Sequence, residues 1–374
     1  MRYKTTFAAL LLLLLKFASA TAQTGPGDLR VFGYFQAALG HQQDATIDRK
    51  LKSFTLQQLN LFLQKDVGQN WSAFINFEVA NSYSSQRNWG AFSLEEAWVN
   101  YNRSKQFKLK LGLLTPAFNH LNEIKNRTPL LPYIIRPVVY ESSFSEVVDT
   151  DEFAPQRAFV QAYGFIPMRA TKWDYAIYVG NSPSINTDPR RGVTGIDTTR
   201  TFLFGGRLGV RHGFFKAGFS ATHDKFDARV LRDSLQMRFP QFSFPVDQFQ
   251  NVAQKRIGAD LSYMAEKWFF EAEYIHVAYD FGAAQADFDK RFFYATLGYH
   301  LSERVLAYVS YWDAHENLLP VREQGFQVPT LGFTYEASEM VVFKVQSANA
   351  HFDGVNPEID KTYNYTYCAV SVRF

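Results

Sequence analysis

Eight histidines and one cysteine are the first places to look for covalent or metal chemistry. The histidines (His41, His120, His212, His223, His276, His300, His315 and His351) are scattered, with no pair at a ligand spacing. Cys368 has no second cysteine with which to bridge or clamp a metal. No Gly-rich phosphate loop ending in Lys-Ser or Lys-Thr is present, and no HExxH. No catalytic residue, metal site or cofactor is therefore assigned. The remaining chemistry is charge. The stretch Leu114–Gln156 gathers His120, Asn122, Glu123, Lys125, Asn126, Arg127 and Arg136. Its later half is acidic, with Glu141, Glu146, Asp149, Asp151 and Glu152. Mixed charges at such spacing make no bonds, but they sort passing solutes through their field. Glu123, Lys125, Arg127 and Arg136 are the candidate residues of a constriction.

The elements that must position them alternate with period two. Phe107, Leu109, Leu111 and Leu113 point one way, and Lys108, Lys110 and Gly112 the other. Trp71, Ala73, Ile75, Phe77 and Val79 alternate with Ser72, Phe74, Asn76 and Glu78. Val305, Ala307, Val309 and Tyr311 alternate with Leu306, Tyr308, Ser310 and Trp312. Sixteen such strands are expected, starting near Leu29, Ser53, Trp71, Phe92, Phe107, Arg157, Trp173, Thr201, Phe214, Lys255, Lys267, Lys290, Arg304, Gln327, Met340 and Thr362. Short joins around Gly68, Ser104, Met168, His212, Ala265, Ser302 and Ser338 alternate with long ones around Gln43, Ser85, Leu130, Pro189, Phe239, Ala284, Leu318 and Val355. That order is the signature of an all-β, antiparallel transmembrane barrel, with short periplasmic turns and long extracellular loops.

Composition agrees. The 374 residues include 6 Trp, 20 Tyr and 36 Phe, more rings than a soluble domain readily buries. They are expected as a lipid-facing coat and girdle rather than a core. Trp71, Trp173, Trp268, Phe107 and Phe214 follow short turns directly, while Tyr101, Tyr263, Tyr299 and Tyr335 precede one. The 39 bases exceed the 36 acids by three. Arg2, Lys4 and Lys16 supply that excess within Met1–Ala22, whose apolar run Phe7–Leu15 and Ala20-Thr21-Ala22 site have the form of an export signal. Residues 23–374 are then the barrel, and they are electrically balanced. A broadly basic nucleic-acid binder is disfavoured. The chain ends on Phe374, with Cys368, Val370 and Val372 on the same face. A terminal aromatic resembles the sorting signal by which the barrel assembly machinery takes up outer-membrane proteins.

The third long connection is expected to fold into the lumen, the alternative being an external loop packed on its neighbours or against another subunit. It carries Pro116, Pro129, Pro132 and Pro137, and the apolar run Leu130–Ile135. A water-facing loop has little use for that run, whereas a loop packed on the wall does. Sixteen strands leave an aqueous lumen for it to narrow. On the lumen wall, Arg30, Lys108, Lys110, Arg207, Arg211, Lys216, Lys344 and Arg373 stand against Glu78, Glu96, Asp174, Asp260, Glu271 and Glu273. Lys108, Lys110, Arg207, Arg211, Lys216 and Lys344 are the candidate pore-lining bases. A weak anion preference and a set of mutually paired charges both fit that balance.

The run Leu94-Glu95-Glu96-Ala97-Trp98-Val99-Asn100-Tyr101, then Leu109-Lys110-Leu111-Gly112-Leu113, Thr115-Pro116-Ala117-Phe118 and Arg136-Pro137, resembles the phosphate-selective porin family (porins O and P). The resemblance implies a trimeric outer-membrane channel with the third loop as its constriction, set in outer-membrane lipid and lipopolysaccharide and passing small hydrophilic solutes or anions. Ala117 separates Pro116 from Phe118, and Leu114-Thr115 stands where more basic residues belong. The family's basic ladder has no match here, so phosphate does not follow from the resemblance. Two other classes remain open: a barrel hydrolase with residues converging at the loop rim, and a plugged surface-interaction barrel. The Phe-rich stretch Phe226–Phe249, with Arg229, Arg232 and Arg238, fits the latter and fits trimer contacts equally.

Overall fold

The structure is a computed structural model. It describes residues 27–44, 49–80, 91–140, 153–155, 157–182, 201–226, 251–280, 288–318, 322–354 and 361–374, with Thr199, Gln236, Met237 and Phe249 besides. The export segment 1–22, the acidic part of the third loop and nearly all of 227–250 lie outside the described residues.

Period-two alternation over ten or more residues yields strands, and the chain makes them in sequence. They are β1 (Arg30–Asp44), β2 (Arg49–Asp66), β3 (Trp71–Ala80), β4 (Ala91–Asn102), β5 (Lys108–Leu114), β6 (Ala158–Met168), β7 (Thr171–Gly180) and β8 (Leu203–His212). There follow β9 (Phe215–Phe226), β10 (Val252–Met264), β11 (Trp268–Asp280), β12 (Phe288–Ser302), β13 (Val305–Leu318), β14 (Arg322–Ser338), β15 (Val341–Gly354) and β16 (Lys361–Arg373). Each pairs antiparallel with its chain neighbours, and β1 pairs with β16 to close the barrel. The expected starts fall within a few residues of these. The tightest joins are two residues long, and Arg169 and Gly213 adopt left-handed φ of 57° and 56° there.

The two faces separate cleanly. Along β13, Val309 and Tyr311 are exposed while Tyr308, Ser310, Trp312 and Ala314 are buried. Rings cluster at the short-turn ends: Trp71 lies 4.8 Å from Tyr101, and Trp268 lies 4.8 Å from Tyr299. Both pairs are cross-strand neighbours, so the girdle also fixes register.

One expectation is corrected. The rings are not only a lipid coat. On β11–β16 the inner face carries an apolar patch too, with Ile275, Val277, Tyr279, Phe292, Tyr294, Trp312, Phe326, Val328, Phe352, Tyr365 and Tyr367 all buried among polar residues such as Glu273, Lys344 and Gln346. They form one cluster with Phe118, Leu121, Ile134, Ile135, Val138, Val139 and Tyr140 of the β5–β6 connection. The barrel thus contains a core, formed by one loop against half of its wall.

The seam is sealed at its periplasmic corner. Gly33 N–H donates to Phe374 O (2.9 Å) and Phe374 N–H returns the bond to Gly33 O (3.0 Å). A Cβ on residue 33 would collide with Asn60 O and lie 2.7 Å from the Phe374 ring, so only glycine fits. Gly33→Val is expected to lose most of the folded species on heat-modifiable gel migration. An unchanged folded band would show that this corner is dispensable.

Candidate functional site: the third loop and the lumen wall

After β5 the chain runs through Thr115–Asn119 into a one-turn helix, α1 (Leu121–Ile124), and two 3-10 turns, Lys125–Leu130 and Val138–Tyr140. So short a helix cannot satisfy its own first N–H groups. The wall does so: Glu273 of β11 accepts from His120 N–H (2.9 Å) and Leu121 N–H (2.6 Å). Its other oxygen accepts from Tyr140 Oη at 2.7 Å. Asn119, at a left-handed φ of 51°, donates its N–H to Ser220 Oγ of β9 at 2.9 Å. Its side chain lies against Gly258 of β10, where a Cβ would collide with Asn119 Oδ1. Ala117 N–H reaches Gln161 of β6 at 3.0 Å.

The far half of the loop is held from β15 and β1. Gln346 accepts from Ile134 N–H (2.6 Å) and Ile135 N–H (2.9 Å) and donates to Ile135 O (3.0 Å). Gln36 of β1 donates to Ile134 O at 3.0 Å. Tyr133 Oη donates to Glu271. Lys344 is 2% exposed. Its Nζ lies 2.6–3.2 Å from the carbonyls of Thr128, Pro129, Leu131 and Tyr133 and 3.0 Å from Gln36 Oε1. One connection thereby touches β1, β6, β9, β10, β11 and β15, strands that span the ring.

The candidate constriction residues divide two and two. Glu123 and Arg127 are exposed on the loop. Lys125 and Arg136 are buried, and Arg136 donates to the Lys125 carbonyl. The wall bases divide as well. Lys344, expected on the pore surface, is a buried loop anchor instead, because carbonyl oxygens surround its ammonium. Arg207 is committed to Asp174 (2.7 Å) and Asp260 (2.6 Å), and Arg211 to Asp174 (3.0 Å). Lys108, Lys110 and Lys216 have no carboxylate within ion-pair distance among the described residues. Lys110 Nζ sits over the Trp98 and Tyr163 rings, at 4.8 and 5.2 Å from their centroids. Glu271 and Glu273, expected as lumen acids, are buried as loop acceptors.

Three further ion pairs lie beyond what the sequence suggests. Arg157 meets Glu95 at 3.2 Å, Arg256 meets Asp224 at 3.0 Å with both side chains fully buried, and Lys290 meets Glu316 at 2.9 Å. Opposite charges at inward positions of neighbouring strands are a signal for two of them. Arg157 precedes β6 and carries no such signal.

Burial, followed by the nearby Lys216, Arg207 and Arg211 charges, pushes the His120 imidazole down to about 4. Between Tyr34, Phe62, Phe74, Trp98, Lys110 and Tyr163 on one side and Glu123, Arg127 and Leu130 on the other lies an open cavity of about 660 Å³.

The model of the family described as Gram-negative porin matches residues 8–317. The chain belongs to the Gram-negative porin family. It is an outer-membrane diffusion channel of a Gram-negative bacterium. Solved structures share this porin's fold at low identity. The anion-selective porin from Comamonas acidovorans is 11% identical with a TM-score of 0.61, covering 93% of this chain and 100% of that one. The outer membrane channel DcaP of Acinetobacter baumannii is 13% identical with a TM-score of 0.62, covering 94% and 99%. In vitro folded OmpT of Vibrio cholerae, in a trimer form, is 9% identical with a TM-score of 0.55, covering 94% and 100%. The search of curated proteins found no significant match.

The loop's anchorage can be tested at both ends. Lys344→Met strips the loop carbonyls of their donor, at about 1–3 kcal/mol for each that stays dry. The porin is expected to keep its folded band while its single-channel conductance rises and becomes noisier. Conductance identical to the parent would mean that the anchor does not restrain the loop. His120 is expected to titrate near pH 4 by histidine NMR. Because its folded value lies below the unfolded value of about 6.5, stability falls as pH drops from about 6.5 toward 4 and is constant above. A His120 midpoint near 6.5 would contradict the burial of this imidazole beside the Lys216, Arg207 and Arg211 charges.

Proposed function

We propose that this porin is a weakly anion-preferring diffusion channel that works by width and field alone, without covalent chemistry. The observation that carries the reading is how its charges are committed. Glu271 and Glu273 hold the loop, and Asp174 and Asp260 hold Arg207 and Arg211. Lys108, Lys110, Arg127 and Lys216 are left beside the aqueous path, against Glu96, Glu123 and Glu78, the last held by the Gln58 and Asn60 amides. An uncompensated base in a low-dielectric-walled lumen raises the local concentration of anions. The Comamonas acidovorans porin that shares this fold is anion-selective, in keeping with this reading.

Water and solute enter from the long-loop side and pass between the exposed loop edge, Glu123 and Arg127, and the facing wall, Arg207 and Lys216. Lys125 and Arg136 stiffen that edge from beneath. Phosphate selection would need several converging unpaired bases. The wall offers Lys108 and Lys110 on one side and Lys216 on another, so we favour general anions over phosphate. We assign residues 1–22 to export and 23–374 to the barrel, and expect a homotrimer in lipopolysaccharide-containing outer membrane, as the trimer form of OmpT encourages. Phe374, bonded into the seam, is the natural handle for the barrel assembly machinery. A plugged surface-interaction barrel is what a non-conducting but folded protein would leave standing, and hydrolysis by the folded protein would reinstate the enzyme reading.

Purified protein in a planar bilayer under a KCl gradient tests this directly. The reversal potential is expected to favour Cl⁻ modestly. The double variant Arg127→Glu, Lys216→Glu is expected to move it toward K⁺. A parent channel that already favours K⁺ refutes the anion preference.

A further inference from the structure

The cavity beside the loop has an unusual wall for an aqueous path. On the inner face of β1–β4 four rings run side by side. Phe32 stacks on Phe62 at 5.1 Å, Phe62 on Phe74 at 5.5 Å, and Phe74 on Trp98 at 4.8 Å, with interplanar angles of 24–26°. The row follows strand pairing: Phe32 lies opposite Phe62, and Phe74 opposite Trp98. Near-parallel rings at these separations overlap like shingles, so each covers only part of its neighbour. Phe62 is the covered spacer, and Phe32, Phe74 and Trp98 keep open surface. A lumen that only conducts ions gains nothing from such a strip, because apolar surface facing water is unfavourable.

The row ends in a cation. Lys110 Nζ lies over Trp98 and Tyr163, and no carboxylate of the described residues comes within ion-pair distance of it. One carboxylate, Glu96, lines the same cavity and accepts from Thr115 N–H at 3.3 Å and from Trp98 Nε1–H at 3.4 Å, which orients it without cancelling its charge. From the loop across the cavity come Arg127 and Glu123, and Arg373 lines it too, so the bases Lys110, Arg127 and Arg373 face the acids Glu96 and Glu123. The cavity's volume of about 660 Å³ exceeds that of a single-ring solute and falls in the ordinary range of small-molecule sites.

We propose that this cavity is a binding site for small aromatic carboxylates, with the ring laid on the Phe74–Trp98 end of the strip and the carboxylate on Lys110. The proposal rests on the reading of this lumen as a solute path. Binding there must be weak enough for release, so that the strip slows and selects such solutes without trapping them.

The probe is sodium benzoate in the planar-bilayer assay, compared with acetate, benzamide and glucose. Benzoate is expected to reduce the KCl current in a saturable manner at concentrations where acetate and glucose do not. Trp98→Ala, with folding checked by heat-modifiable migration, is expected to weaken that block about threefold to tenfold. Lys110→Met is expected to weaken benzoate block while leaving benzamide block nearly unchanged. Equal effects of benzoate and acetate overturn the ring's role. Block by glucose in preference to benzoate overturns the ligand class and makes the strip a carbohydrate site. Undiminished benzoate block in a folded Trp98→Ala variant overturns the location. Failure of the channel reading is separately visible, as absence of KCl conductance before any solute is added.

Discussion

Everything in this porin descends from the requirement that backbone N–H and C=O groups in hydrocarbon be paired with each other. An open sheet would leave two unpaired edges, at a cost no side chain can offset. The chain therefore closes β1 on β16, and residue 374 is bonded to residue 33. Once the ring is closed, alternation leaves no choice of face: one set of side chains meets lipid and the other faces inward. The inner set decides what kind of channel results.

That inner set is divided. Over β11–β16 it carries a large apolar patch, interrupted by buried polar anchors and covered by the third loop, while over β1–β6 it is mixed and meets the open cavity. The loop is positioned by buried polar groups at two places, Glu273 beneath α1 and Lys344 beneath the Thr128–Tyr133 carbonyls. Each supplies what the irregular backbone lacks, acceptors at the first and donors at the second. Removing such groups from the set of pore charges changes the balance the solute meets. It also explains why formal net charge says little about selectivity here.

The architecture was legible because lipid imposes a simple rule on every strand. Strand number and the girdle around Trp71, Trp173 and Trp268 follow from period-two patterning and turn spacing. The strict alternation of short and long joins does not hold. β1–β2 and β13–β14, expected as long, are joined by 45–48 and 319–321, no longer than the β4–β5 join at 103–107, because these strands extend into what reads as loop. The site was less legible, since its key choices are made in three dimensions. Nothing in the spacing of Lys344 distinguishes it from Lys108 or Lys110; only the arrival of loop carbonyls from more than two hundred residues away makes it an anchor. The inner apolar wall was hidden for a related reason. Tyr308 and Trp312 sit in the inward register of β13, where a polar face is expected, and rings serve lipid, core and lumen alike. Phe74, standing among Ser72, Asn76 and Glu78 on the inward face of β3, was the visible hint of the aromatic strip.

The loop's fastenings also constrain the order in which the molecule can be made. Ile134 N–H bonds to a side chain 212 positions later in the chain, and Gln36 near the beginning grips the same short segment. Both holders flank the β1–β16 seam. The loop cannot be fully seated until β15 and its Gln346 arrive. Contacts of such sequence separation form late, after the entropy of closing long chain loops has been met. Seating of the third loop thus belongs with closure of the ring, late in folding, and a barrel caught before it would have neither a sealed seam nor a fastened loop.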